Sequence, residues 1–160
     1  MQDRTRQNRE YQESVIEIKR VSKKTKGGNQ ISFTALVVVG DGKGKVGVAL
    51  GKAKDVASAI RKGMKLAKRK MMKISLRGTT IPYSVECKRK AARVLLKPAR
   101  GGSGLIAGGP VRVIASAVGI KDLVAKILGS RNKANNVWAT YEALKKLEVK
   151  NEKNEVAPIT

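Results

Sequence analysis

Hydrophobic and polar positions alternate along the first half of the chain in a way that predicts three strands. The strand-like segments cover residues 14–21, 31–39 and 45–50, and they are rich in β-branched residues. In the second segment one face carries Ile31, Phe33, Ala35, Val37 and Val39. Residues 22–29 are basic and end in glycine, so a loop is expected there, and Asp41-Gly42 indicates a hairpin turn. The pattern favours an antiparallel sheet.

A helical repeat follows these strands. On a helical wheel an apolar stripe about a quarter turn wide is formed by Val56, Ile60, Met64, Ala67 and Met71. The opposite half of the wheel carries only cations among its charges: Arg61, Lys62, Lys65, Lys68, Arg69 and Lys73. Asp55 stands where a helix N-cap is expected. The helix is therefore predicted to pack its apolar stripe on the sheet and to present a cationic face to a partner.

The second half predicts a different order of elements. Strands are expected at 81–88 and 92–97, a glycine-rich loop at 98–104, and a helix from Pro110 to Val118 that ends at Gly119. Residues 120–128 fit a strand or a helix, and a strand is preferred because a βαβ unit then results. A last helix covers 132–147. We expect an α+β protein with a flexible basic arm (1–12), a β-β-β-α domain (13–74), a linker, a second α+β domain (80–148) and a disordered tail (149–160).

Composition limits the chemistry that these elements can perform. The 160 residues include 35 Lys or Arg against 12 Asp or Glu, a net charge of +23, and no histidine. Histidine-based catalysis and histidine-ligated metals are thereby excluded. The single cysteine, Cys87, excludes an intrachain disulfide and a cysteine-cluster zinc site. Because no apolar run reaches membrane-spanning length and no secretory signal is seen, a soluble cytoplasmic protein is expected, without metal, cofactor or membrane.

The positive charge is concentrated in the middle of the chain. Between Asp55 and Asp122 the sequence holds sixteen Lys or Arg and one acid, Glu86. Such an excess predicts a polyanionic partner. The aromatic residues are few and scattered: Tyr11, Phe33, Tyr83, Trp138 and Tyr141. Since readers of single strands stack bases on exposed rings, this scarcity favours folded RNA recognised by shape and phosphate contact.

Two glycine motifs raise the alternative of a nucleotide site. Residues 42–47 match G-x-G-x-x-G, but a strand follows, whereas a dinucleotide site needs a helix there. Residues 102–107 follow a strand and precede a helix, and their backbone N–H groups could cradle a phosphate. Three interpretations therefore stay open: a structural rRNA-binding protein, a nucleotide-dependent enzyme that uses the loop at 101–109, and a free RNA chaperone or DNA-coating protein.

A long spaced pattern adds a family resemblance. It comprises Gly28, Phe33, Ala35, residues 38–42, Gly44, residues 46–47, Ala49, residues 55–56 and 59–60, together with residues 19–23, 101–112 and 128–132. This pattern resembles the small-subunit ribosomal protein five family over about 15–147. Asn29 departs from it, since the family usually has a basic residue there. The resemblance implies a double-stranded-RNA-binding-like first domain and a second domain with a left-handed βαβ unit.

The resemblance also implies a non-enzymatic role and particular partners. These are small-subunit rRNA, small-subunit ribosomal proteins four and eight, and mRNA near the entry channel, with no small-molecule substrate. Charge and resemblance together predict rRNA contacts at Lys19, Arg20, Ser22, Lys23, Lys24, Lys26, Gly27, Gly28, Lys52, Lys54, Arg61, Lys62, Lys65 and Arg69. A region facing protein four, where translational accuracy is tuned, is implied at Arg100, Gly101, Gly102, Ser103, Gly104 and Arg112.

Overall fold

Two four-stranded sheets and three helices build the protein, whose computed structural model describes residues 11–151. In chain order the elements are β1 (Gln12–Thr25), β2 (Gly28–Gly40), β3 (Lys45–Ala53), α1 (Val56–Arg69), β4 (Met72–Lys73), β5 (Val85–Arg89), β6 (Ala92–Pro98), β7 (Leu105–Ile106), α2 (Gly109–Val118), β8 (Leu123–Gly129) and α3 (Lys133–Asn151). The first sheet has the order β1-β2-β3-β4 and is antiparallel throughout. The second has the order β5-β6-β8-β7, with β7 and β8 parallel. The predicted α+β class is confirmed.

The first half has the expected β-β-β-α order, but its first two strands are longer than predicted. The loop expected at 22–29 is wrong: β1 continues to Thr25 and β2 begins at Gly28, so only Lys26 and Gly27 form the turn. Thr25 Oγ1 closes this turn by donating to the carbonyl oxygen of Gly28 over 2.7 Å. Since β3 pairs with β2 only from Phe33 onward, the two longer strands form a ribbon beyond the sheet.

Small residues let α1 lie very close to the first sheet. The fully buried residues of α1 are Ala59, Gly63 and Ala67. A Cβ at Gly51 of β3 would overlap the carbonyl oxygen of Ala59, and one at Gly47 would overlap that of Ala67. The predicted stripe is therefore corrected: of its members only Ala67 is fully buried, while Val56, Ile60, Met64 and Met71 are half-buried at its side. The buried residues of α1 are therefore those at which the helix backbone comes close to β3, rather than those with the largest apolar side chains.

The second half contains a βαβ unit, β7-α2-β8, followed by α3. Its first strand differs from expectation: no strand is predicted at Leu105–Ile106, and the predicted strand before α2, β6, pairs antiparallel with β8. Gly119 ends α2 as predicted, with φ of +94°. Several boundaries differ from expectation: β5 begins at Val85 instead of residue 81, β8 begins at Leu123 instead of residue 120, and α3 continues to Asn151, three residues into the expected tail. The rest of that tail, 152–160, and residues 1–10 of the expected arm lie outside the described part. Of the expected arm, Tyr11 packs against the core beside α1, and Gln12 opens β1.

One hydrophobic core joins the two halves. The face of the first sheet opposite α1 buries Leu36, Val38, Val46 and Val48 in the same cluster as residues of the second sheet, α2 and α3. The stretch expected to be a linker takes part, because Ile74 and Ile81 are buried in this cluster. The carbonyl oxygen of Thr79 accepts hydrogen bonds from the N–H groups of Lys121 and Asp122, at 2.9 and 3.1 Å.

Between residues 11 and 151, no helix combines the length and hydropathy that a membrane span needs.

Candidate nucleic-acid interface

The exposed side of α1 carries four predicted RNA contacts on one surface. We call Arg61, Lys62, Lys65 and Arg69 the α1 cationic face; all four are exposed. On a helical wheel they lie opposite the buried line through Gly63, so they point away from the sheet. The first turn of α1 contains no acid. The helix therefore presents a run of positive charge that no carboxylate of its own neutralises.

The N-cap of α1 is Asp55, as the sequence predicts. Its carboxylate accepts a hydrogen bond from the backbone N–H of Ser58 over 2.9 Å. This bond lowers the pKa of Asp55, with a smaller contribution from the positive charge of Arg61. The cap satisfies one of the N–H groups that a helix start leaves without an intrahelical partner. The beginning of the cationic helix is thus fixed by its own sequence.

Lys68 differs from the other cations of α1. Its Nζ lies 2.6 Å from a carboxylate oxygen of Glu13 and 5.5 Å from the ring centroid of Tyr11. Both partners come from the start of the chain, so their proximity to α1 depends on sheet pairing and carries no signal in the local sequence. Lys68 thus holds β1 against the helix, and it is a poorer candidate for phosphate contact than its neighbours.

The predicted contacts in the β1–β2 ribbon are exposed, but they divide between two faces. The register places Lys19 opposite Thr34, which lies opposite Lys52, so these residues share the face away from α1. Arg20 lies opposite Phe33, on the face that α1 covers. By the alternation of a strand, Ser22 and Lys24 follow Arg20, while Lys23 follows Lys19. The ribbon is therefore cationic on both sides.

The remaining predicted contacts of the first half lie at connections. Lys26, Gly27 and Gly28 form the tip of the ribbon, and Lys54 is exposed between β3 and α1. Lys19 has an internal partner, since its Nζ lies 3.3 Å from a carboxylate oxygen of Glu17. Both side chains of that pair are accessible to solvent, so the pair contributes little stability and can open toward RNA.

The glycine-rich loop of the second half is held by a buried carboxylate. Asp122 is 3% exposed, and its Oδ1 accepts a hydrogen bond from the N–H of Gly104 over 2.9 Å. The pKa of Asp122 is lowered chiefly by a hydrogen bond from the Thr79 side chain and next by the hydrogen bond from Gly104. The N–H groups of Gly102 and Ser103 lower it further. Because these N–H groups face a carboxylate of the chain itself, the loop does not offer them to a nucleotide phosphate. Sequence reasoning noticed Asp122 but not this role.

The implied protein-facing residues surround the start of α2. Arg100, Gly101, Gly102 and Ser103 are exposed, Gly104 is half-buried, and Arg112 is exposed on the first turns of α2. Arg112 also lines a groove between α2 and the start of β1, together with Gln12, Ser14, Leu105, Gly109, Val113 and Ser116. This groove joins the loop region to the first half of the molecule.

The other glycine motif is part of the first sheet. Residues 45–47 of the G-x-G-x-x-G match belong to β3, which confirms the expected hairpin and leaves no helix start for a pyrophosphate. Gly42 and Gly44 instead donate hydrogen bonds to the last carbonyl oxygens of α2, those of Ala117 and Val118. The motif therefore serves the contact between the two halves.

Comparison with known proteins agrees with this architecture. The family model described as ribosomal protein S5, N-terminal domain, matches residues 11–75. The model described as ribosomal protein S5, C-terminal domain, matches residues 87–157. These two ranges contain all of the predicted RNA contacts and all of the loop region around Arg112.

Several curated relatives carry the name small ribosomal subunit protein uS5. One from Acidithiobacillus ferrooxidans is 54% identical over 144 residues, covering 89% of this chain and 82% of that protein. Others are from Rubrobacter xylanophilus, 50% identical over 88% of this chain and 70% of that protein, and Chloroflexus aurantiacus, 49% identical over 86% and 78%. On these matches, and with both halves of its fold accounted for, the chain belongs to the ribosomal protein S5 family.

Proposed function

We propose that the chain is a structural rRNA-binding protein of the cytoplasmic small ribosomal subunit, with no catalytic role. The observation that carries this proposal is the α1 cationic face, four exposed cations on one side of a helix whose first turn has no acid. Neutralising phosphates at this face releases counterions from the RNA, which is a major source of protein–nucleic acid affinity. Because the chain belongs to the ribosomal protein S5 family, we assign this RNA-binding surface to the small ribosomal subunit.

The β1–β2 ribbon extends the proposed RNA surface. Its cations occur on both faces and at its tip, so a ribbon inserted between RNA segments meets phosphate on either side. A two-stranded ribbon with few apolar side chains has no packing reason to extend this far from the sheet. The family resemblance implies a role in fixing the head of the subunit relative to its body, and contact with two RNA segments would support that role.

The loop at Arg100–Gly104 and Arg112 is proposed to face small-subunit ribosomal protein four and to influence translational accuracy. Its support is the exposed position of these residues and the rigid attachment of the loop through Asp122. Protein eight and mRNA near the entry channel complete the proposed set of partners. These finer roles are inferred from the family resemblance.

Sedimentation tests the proposal. Tagged chain produced in bacterial cells should sediment with small subunits in moderate salt, and residue-level crosslinks in those particles should join Lys62, Lys65 and the ribbon to rRNA. A free RNA chaperone would instead wash off as the salt concentration rises. Crosslinks confined to protein neighbours, with none from the α1 cationic face, would contradict the proposal.

A further inference from the structure

The second sheet has one uncovered face, and this face contains none of the predicted contact residues. Its inner face packs Cys87, Val94 and Leu96 into the core. The opposite face, which we call the outer face, is formed by Glu86, Lys88, Arg93, Leu95, Lys97, Val124, Lys126 and Leu128. Lys88, Lys97 and Lys126 are exposed, so no described element covers this surface.

Charge on the outer face is strongly one-sided. Its cations are Lys88, Arg93, Lys97 and Lys126, and its one acid among the described residues is Glu86. Glu86 is occupied, because its carboxylate forms an ion pair with Arg93. Within the part of the chain that the structure describes, no carboxylate lies within ion-pair distance of the three lysines.

An ordinary solvated face does not account for this arrangement. Antiparallel sheets often expose one polar face, but like charges directly opposite each other in neighbouring strands are destabilising. Here Lys88 lies directly opposite Arg93 in the register of β5 and β6. Because Glu86 pairs with Arg93, it offsets only one of these two charges, and an anionic partner would stabilise the other.

The spacing of the lysines suits a row of phosphates. Neighbouring strands lie about 4.8 Å apart and residues advance by about 3.3 Å, which places the Cα atoms of Lys88, Lys97 and Lys126 roughly 8–14 Å from one another. Each lysine can thus meet a different phosphate. Of the exposed apolar side chains, Ile106 (58% exposed) lies on the β7 edge of the sheet, whereas Val124 (38% exposed) lies directly opposite Lys97.

We propose that the outer face of the second sheet is a second phosphate-binding surface for RNA, separate from the α1 cationic face and the ribbon. The proposal rests on the function proposed above and adds an RNA contact in the half of the molecule otherwise assigned to protein neighbours. Lys88, Lys97 and Lys126 make the phosphate contacts, while Arg93 is held mainly by Glu86. The occupant is the RNA backbone, because charge complementarity is the dominant property of the face.

The test measures how the affinity of the full chain for small-subunit rRNA depends on salt. The K88Q/K97Q/K126Q variant should lower the slope of log K against log salt by about 2, since each phosphate contact contributes roughly 0.7–0.9. The matched control is K121Q/K133Q/K145Q, which removes the same charge from scattered exposed positions. It should lower the slope by much less. The outer-face variant should also be at least as stable to urea, because K88Q removes a repulsion.

Equal slopes for the outer-face variant and the scattered control would overturn the inference. So would an unchanged RNA slope accompanied by loss of the variant from purified subunits, because the face would then bind a protein. A K62Q/K65Q/R69Q variant measured in parallel separates the two proposals. If only that variant lowers the slope, the proposed function stands without the second surface; if only the outer-face variant lowers it, the second surface stands and the α1 cationic face fails.

Discussion

Gly42 and Ala117 connect the two halves of the molecule: the N–H of Gly42 donates a hydrogen bond to the carbonyl oxygen of Ala117 over 3.0 Å. Beside it the N–H of Gly44 donates to the carbonyl oxygen of Val118 over 2.8 Å. These carbonyl groups belong to the last turn of α2, where a helix leaves acceptors unsatisfied. The turn between β2 and β3 thus completes a helix of the other half. Because the halves also share one core, we expect them to unfold together.

Gly119 tests this junction. A Cβ there would overlap the carbonyl oxygen of Gly42, and its φ of +94° disfavours any other L-residue. We expect Gly119→Ala to lower the free energy of unfolding by more than about 2 kcal/mol, measured by urea denaturation. Trp138 fluorescence and far-UV circular dichroism should still give one coincident transition. Gly101→Ala is the control, since open space surrounds it; similar losses in both variants would contradict the account.

Gly51 tests the close approach of α1 to the sheet. A Cβ there would overlap the carbonyl oxygen of Ala59, so Gly51→Ala must push the helix from β3. The expected loss in unfolding free energy is about 1–3 kcal/mol, the usual cost of overpacking. Gly109→Ala, in the first turn of α2 with open space around it, should be neutral or slightly stabilising. A neutral Gly51→Ala in thermal or urea unfolding would show that the packing is looser than described.

Asp122 makes the glycine-rich loop sensitive to acid. Its folded-state pKa is lowered by the hydrogen bonds from Thr79 and Gly104, so its contribution is complete above the ordinary carboxyl pKa of about 3.9. That contribution is lost as the pH falls through the lowered value. Asp122→Asn should therefore be less stable than the parent at pH 7, and the difference should shrink in strong acid. Urea unfolding at several pH values measures this; a difference independent of pH would count against the carboxylate.

Lys65 and Lys68 are three residues apart on α1 but have different surroundings. Lys65 belongs to the α1 cationic face, whereas Lys68 is engaged by Glu13 and Tyr11. We expect Lys65→Gln to lower the salt slope of rRNA binding by roughly 0.7–0.9. Lys68→Gln should change that slope much less, even though it removes the same charge. Equal effects would mean that net charge, rather than position, controls binding.

The sequence predicts the helices and strands well wherever the apolar periodicity of the side chains matches the positions that are buried. Of the predicted face, Phe33, Ala35, Val37 and Val39 form a cluster under α1, whereas Ile31 is exposed in the ribbon. The ends of α1 and α2 also followed from local chemistry, because Asp55 caps one helix and Gly119 terminates the other. These signals depend on a few neighbouring residues and need no knowledge of the rest of the fold.

Other features depend on contacts between distant segments and were missed. Residues 22–31 of the ribbon are all exposed, so they have no apolar alternation that would distinguish strand from loop. The buried line of α1 runs through Gly63 because the backbone of β3 comes close, which a hydrophobic pattern does not register. For the same reason the engagement of Lys68 by Glu13 became visible only once β1 was paired. The net positive charge predicted a polyanionic partner, and the fold determines which of the cations remain exposed to bind it.

The salt dependence of rRNA binding by K62Q/K65Q/R69Q tests whether the α1 cationic face binds RNA phosphate. These three residues are exposed on α1, so the variant should keep its circular dichroism spectrum and urea midpoint. We expect the slope of log K against log salt to fall by about 2 relative to the parent chain, a much larger decrease than in K121Q/K133Q/K145Q. A slope equal to that of the parent would contradict the claim that this helix meets RNA phosphate.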